Sequence, residues 1–151
     1  MSDPAAAAAA GPAKRVRTLV YSDDVDTRAA VMMALGPRPH PDLPALDYVQ
    51  CATEAAVIRV LDAGGVDLVI LDGEAVPAGG LGIARQLKDE IYRCPPVLVV
   101  TGRPQDAWLA TWSRADAAVP HPIDPLHFAE VVIAMIRGRL AEQGGTPATT
   151  A

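Results

Sequence analysis

The sequence predicts an α/β fold: a doubly wound three-layer sandwich with five parallel strands in one sheet. Three observations carry that expectation. Short apolar runs alternate with helical spacing five times between Arg15 and Arg139. The apolar half of the chain is built from Val, Leu, Ile and Ala with a single Phe, which suits strands covered on both faces. Several runs end, on their carboxyl side, in polar residues and turn formers, where open parallel sheets place ligands.

The elements follow in order. Val16 to Tyr21 is a short apolar strand. Asp24 to Leu35 has helical spacing in Val25, Ala29, Met32, Met33 and Leu35, and Gly36 stops it. Pro37 to Pro44 is a loop with four prolines, long for such a connection. Tyr48 to Ala52 is the second strand. Thr53 is placed to cap a helix carrying Val57, Ile58 and Leu61 on one face, with Gly64-Gly65 as its stop. Leu68 to Leu71 is the third strand and delivers Asp72 to its tip.

Leu81 to Ile91 is the third helix, Pro96 to Val100 the fourth strand and Pro104 to Ser113 the fourth helix. Ala117 to Val119 is a weak fifth strand. Asp124 opens a last helix with Pro125 in its first turn, ending near Arg139. Short alternating units imply right-handed crossovers and a parallel sheet. The strand order 2-1-3-4-5 follows by analogy with flavodoxin-like (βα)5 sandwiches.

At 151 residues the chain is expected to form one domain. Residues 15–139 make it up, between an Ala-rich tail over 1–14 and a Gly, Thr, Pro and Ala tail over 140–151, both expected to be disordered. The run of six alanines near the start lacks the basic and Leu-rich regions of a signal peptide. No stretch has the roughly 18 unbroken apolar residues that a membrane span needs. A net charge of −5 and the lack of a basic stripe argue against nucleic acid as partner. Cys51 and Cys94 lie far apart without metal-type spacing, so a reducing cytoplasm is the expected location.

The strand ends carry the chemistry. Ser22, Asp23 and Asp24 follow the first strand, Asp72 the third, Thr101-Gly102 the fourth and His121-Pro122 the fifth. In the order 2-1-3-4-5 these ends are neighbours on one rim. Carboxylates gathered there repel unless a hard cation such as Mg²⁺ lies between them. Structural alternatives stay open. Asp72 is also a turn cap, Asp23-Asp24 also a helix cap with a first-turn acid, and His121 also a hydrogen-bonded strand-end residue. Trp108 and Trp112, spaced i and i+4, are either core or a docking face.

The constellation resembles the receiver domain of two-component response regulators, from about Val16 to Arg139. The resemblance rests on the acidic pair after the first strand, Asp72, Gly80, Thr101-Gly102 and the segment His121-Pro122-Ile123-Asp124-Pro125. It implies an aspartyl-phosphate switch with Asp72 as phospho-acceptor. It also implies Mg²⁺ held by Asp23, Asp72 and the Glu74 backbone carbonyl, with Asp24 as a further candidate. Thr101 and His121 would contact phosphate, and the peptide before Pro122 would be cis.

The departures are as informative. Ser22 stands where the family has the first acid of its pair. His121 replaces the family's Lys, a permanent point charge, with a shorter ring that is often neutral. Ala118 replaces an aromatic, and the proline after the acceptor comes one residue late, at Pro77. Metal site, phosphate clamp and readout are all weakened.

The expected function is therefore an atypical, stand-alone receiver with no output domain. It acts through protein contacts with a histidine kinase or a multi-subunit complex, depends weakly or not at all on phosphorylation, and is not an enzyme. A conventional Mg²⁺-dependent switch on Asp72 is the alternative. Leu71-Asp72-Gly73-Glu74 also faintly resembles the first motif of haloacid-dehalogenase phosphatases, whose downstream acids and Lys have no convincing counterpart here.

Overall fold

A single sheet of five parallel strands, in the order β2-β1-β3-β4-β5, organises the chain. The computed structural model describes residues 14–144. The strands are β1 (Val16–Tyr21), β2 (Leu46–Cys51), β3 (Leu68–Asp72), β4 (Val97–Thr101) and β5 (Ala117–Pro120). The helices are α1 (Val25–Leu35), α2 (Glu54–Asp62), α3 (Gly80–Glu90), α4 (Ala107–Ser113) and α5 (Pro125–Gly144).

Alternation along the strands divides the core in two. Val16, Val20, Leu68, Ile70, Leu98 and Val100 face α1 and α5, where Val31, Phe128, Val132 and Ile136 are buried. Leu19, Tyr21, Val69, Leu71, Val97 and Val99 face α2 and α3, where Val57, Leu61, Ile83 and Leu87 are buried. β3 and β4 are buried at every position, as a central strand covered on both faces must be.

Register then sets the rim. Tyr21 lies opposite Leu71, so Ser22 comes level with Asp72. Asp72 lies opposite Val100, and Thr101 opposite Pro120, so His121 follows on the same edge. Gly80 lets α3 start directly beneath this edge. A Cβ there would stand 2.7 Å from the Asp72 carbonyl oxygen and 2.9 Å from Leu71 Cβ.

Beyond one-residue shifts, boundaries differ from expectation in three places. β2 begins at Leu46, two residues earlier than the apolar pattern suggests, because it pairs with β1 from Val16↔Leu46 onward. The fourth helix opens with a 3₁₀ turn over Pro104–Asp106. The last helix runs five residues past the expected Arg139 boundary, to Gly144. Its end is tied down: Gln143 donates to Asp67 Oδ1 at 3.0 Å, and Arg139 Nε lies 3.6 Å from the same oxygen.

The Pro37–Pro44 loop is anchored. Arg38 donates to the Leu43 carbonyl at 3.0 Å, Leu43 is buried, and the Tyr48 hydroxyl donates to the Gly36 carbonyl at 2.6 Å. Of the two expected disordered tails, residues 1–13 and 145–151 lie outside the described residues. No helix among the described residues is long and apolar enough to cross a membrane.

Candidate functional site

A cleft of about 340 Å³ opens at the carboxyl edge of the sheet, lined by Asp23, Asp24, Thr27, Asp72, Glu74, Val76, Gly102 and His121. It unites the loops after β1, β3, β4 and β5. Asp72 lies at its floor, 5 % exposed.

Three groups of the chain hold the Asp72 carboxylate. The Ser22 hydroxyl donates to Oδ2 at 2.7 Å. The Glu74 backbone N–H donates to Oδ1 at 2.8 Å, and His121 Nε2 meets the same oxygen at 3.0 Å. Both carboxylate oxygens are therefore satisfied, which offsets most of the cost of burying the charge. Ser22 is fully buried, and its oxygen also accepts from the Asp24 N–H at 3.0 Å. In the sequence Ser22 reads only as a missing acid. Its place one residue beyond the first strand, level with Asp72, was the available signal for this role.

The two acids after β1 divide their work. Asp24 is the helix cap: Oδ1 accepts from the Asp26 N–H at 2.8 Å, and the Thr27 hydroxyl donates to Oδ2 at 3.3 Å. Asp23 accepts from the Val76 N–H at 3.0 Å and so straps the β3–α3 loop to the end of β1. The Tyr21 hydroxyl pins the same loop, donating to the Ala78 carbonyl at 2.5 Å. Burial, and then the nearby charges of Asp23, Glu54 and Asp72, push the Tyr21 phenol above its ordinary pKa.

Thr101 is buried at the end of β4, and its hydroxyl donates at 3.4 Å to the Val119 carbonyl on β5. The hydroxyl is thus engaged away from Asp72, and Thr101 is not among the cleft-lining residues. Its neighbour Gly102 is, and the Glu74 carboxylate rests against it. The peptides before Pro122 and Pro77 are both cis. Trp108 and Trp112 are not core residues. They are 67 % and 45 % exposed on α4, are not among the cleft-lining residues, and the Arg85 guanidinium stacks 5.0 Å from the Trp112 ring centre.

The donor set for a divalent cation is one acid short. The position beside Asp72 holds a hydroxyl that spends its proton on Oδ2, Asp24 is engaged through both oxygens in its helix cap, and Asp23 accepts from Val76 through Oδ1 alone. Among the described residues no group of three His, Cys, Asp or Glu side chains is arranged to hold a metal ion.

Two relatives decide the family. Uncharacterized response regulatory proteins from two strains of Mycobacterium tuberculosis, CDC 1551 and H37Rv, are each 63 % identical over 122 residues. Each match covers 81 % of this chain and 92 % of the relative. The chain belongs to the response-regulator receiver family.

The fold of this receiver agrees. It is similar to a CheY-like receiver domain from Methanospirillum hungatei (TM-score 0.66, 16 % identity, covering 85 % of this chain and 99 % of that one). It is also similar to the receiver domain of an HD-domain-containing protein from Pseudomonas fluorescens (TM-score 0.70, 16 % identity, covering 89 % and 96 %). No family model matches the chain.

Proposed function

We propose that this receiver acts as a protein-interaction module in which phosphorylation of Asp72 is slow or dispensable. The observation that carries the reading is the hydrogen-bond set on Asp72. Hydrogen bonds to a carboxylate stabilise the anion and lower its nucleophilicity, and here Ser22 holds Oδ2 while Glu74 and His121 hold Oδ1. The missing acid at Ser22 points the same way, since a transferring phosphoryl group needs its charge neutralised and a neutral hydroxyl holds a cation less well. His121 is the one basic side chain in the lining, and it is spent on Asp72 rather than left free for phosphate.

Output then runs through protein contact, with a histidine kinase or a multi-subunit complex as the partner class. The exposed Trp108 and Trp112 are the candidate contact residues, because Trp is favoured at binding hot spots. The test is incubation with acetyl phosphate and Mg²⁺, followed by intact-mass measurement. Little or no phosphorylated species is expected over the time in which Asp72→Asn serves as the blank. Rapid, stoichiometric modification lost in Asp72→Asn would overturn the reading and establish the conventional switch.

A further inference from the structure

We propose that the Glu74 carboxylate is a gate that restricts phosphate-bearing anions from reaching Asp72. The proposal deepens the reading of Asp72 as acceptor and rests on it. The Glu74 backbone is fixed because its N–H is bound to Asp72 Oδ1 at 2.8 Å. From that fixed point the side chain reaches Gly102, another residue of the cleft lining, and lies against it. Both its carboxylate oxygens and Cδ crowd the place where a Cβ on residue 102 would stand. Glycine at 102 is therefore the seat that admits the carboxylate, and any larger residue there displaces it.

The electrostatic consequence is direct. Asp23, Asp24, Asp72 and Glu74 all line the cleft, and His121, already bound to Asp72, is the one basic side chain facing them. Arg103, next to the seat, is turned to Asp106, which accepts from its Nε at 3.3 Å and from its Nη2 at 3.1 Å. Among the described residues Glu74 makes no ion pair within 4 Å, and Arg103, the cation whose field reaches it, is hydrogen-bonded to Asp106. Glu74 is exposed, so its repulsion of an incoming phosphate is screened by solvent and acts at close approach. The gate acts on the anion and leaves the Asp72 hydrogen bonds untouched.

The test measures labelling of the full chain by acetyl phosphate with Mg²⁺. In this reaction an Asp72 oxygen forms a bond to phosphorus while the acyl phosphate P–O bond breaks, and acetate leaves with the electron pair. Glu74→Gln keeps the shape and removes the charge, and should label about tenfold faster than wild type. Gly102→Ala should also label faster, because the new Cβ evicts the flexible end of Glu74 rather than backbone. Combining the two should add nothing to Glu74→Gln alone, since both act on one contact.

Equal rates for Glu74→Gln and wild type, including no labelling of either, overturn the gate. So does a Gly102→Ala rate at or below wild type, or full multiplicativity in the double variant. Label that persists in Asp72→Asn/Glu74→Gln overturns it together with the acceptor assignment. Fast labelling of the wild type defeats only the slow-phosphorylation reading, and the ratio between variants still judges the gate.

Discussion

Ser22 Oγ donates to Asp72 Oδ2 at 2.7 Å across the β1–β3 junction, although the two residues are fifty positions apart in the chain. A neutral hydroxyl thus stands where a second acid would have faced Asp72 with like charge. The bond is buried and charge-assisted, so it stabilises the carboxylate without calling for a cation.

Removing the hydroxyl exposes the dependence. Ser22→Ala should lower stability by about 2 kcal/mol, the usual cost of losing a buried hydrogen bond to a charged group. Ser22→Asp should also be destabilised in metal-free buffer, by like-charge repulsion. Millimolar Mg²⁺ should then raise the melting temperature of Ser22→Asp well beyond any shift in the wild type. Calorimetry with and without Mg²⁺ distinguishes the cases, and a large shift in wild type would show a competent cation site.

Gly80 holds the acceptor strand against α3. A Cβ there meets the Asp72 carbonyl oxygen at 2.7 Å and Leu71 Cβ at 2.9 Å, both parts of the rigid sheet edge. Gly80→Ala should cost about 2 kcal/mol through this overpacking. Denaturant unfolding reads it directly, and a neutral result would mean that the start of α3 yields freely.

The end of α5 depends on Asp67. This buried residue accepts from the Arg17 N–H at 3.0 Å and from Gln143 at 3.0 Å, and pairs with Arg139. Asp67→Ala should lower stability by about 2 kcal/mol, discounted from a fully buried pair because Arg139 stays partly wet. Amide hydrogen exchange should accelerate most beyond Arg139. Uniform acceleration across the chain would place the loss in the sheet instead.

Alkaline pH should destabilise the fold through Tyr48. Burial pushes its phenol from 10.0 up to about 12. Between those values the folded chain keeps a proton that the unfolded chain has released. The contribution is therefore complete below pH 10 and is lost as pH rises toward 12. Tyr21 is shifted in the same direction. Urea midpoints should fall over this interval and fall less steeply in Tyr48→Phe.

The two tryptophans should report their surroundings. Trp108 and Trp112 are exposed on α4, so their fluorescence should be quenched readily by acrylamide in the native protein. Arg85→Ala removes the cation stacked 5.0 Å from the Trp112 ring and should change the emission without unfolding the chain. Native emission as shielded as that of a buried indole would contradict their placement.

Much of this was legible beforehand. The apolar runs of β1, β3 and β4, the cap at Thr53 and the stops at Gly36 and Gly64-Gly65 are local signals, and the structure follows them. The start of β2 and the end of α5 were not, because pairing with β1 and the hold of Asp67 come from distant parts of the chain. The tryptophans were ambiguous for the same reason: i, i+4 spacing gives a stripe but not the side on which neighbours pack.

The sequence by itself determined the order of elements and the residues at each strand end, since both are written in short-range periodicity and turn chemistry. Only the tertiary structure decided what those residues do to one another. Register placed Ser22 beside Asp72, committed Asp23 to Val76 and Asp24 to its helix, turned the Thr101 hydroxyl to Val119 and laid Glu74 on Gly102. Hydrogen bonds act over about 3 Å, and separations on that scale exist only after the sheet has aligned chain-distant strands.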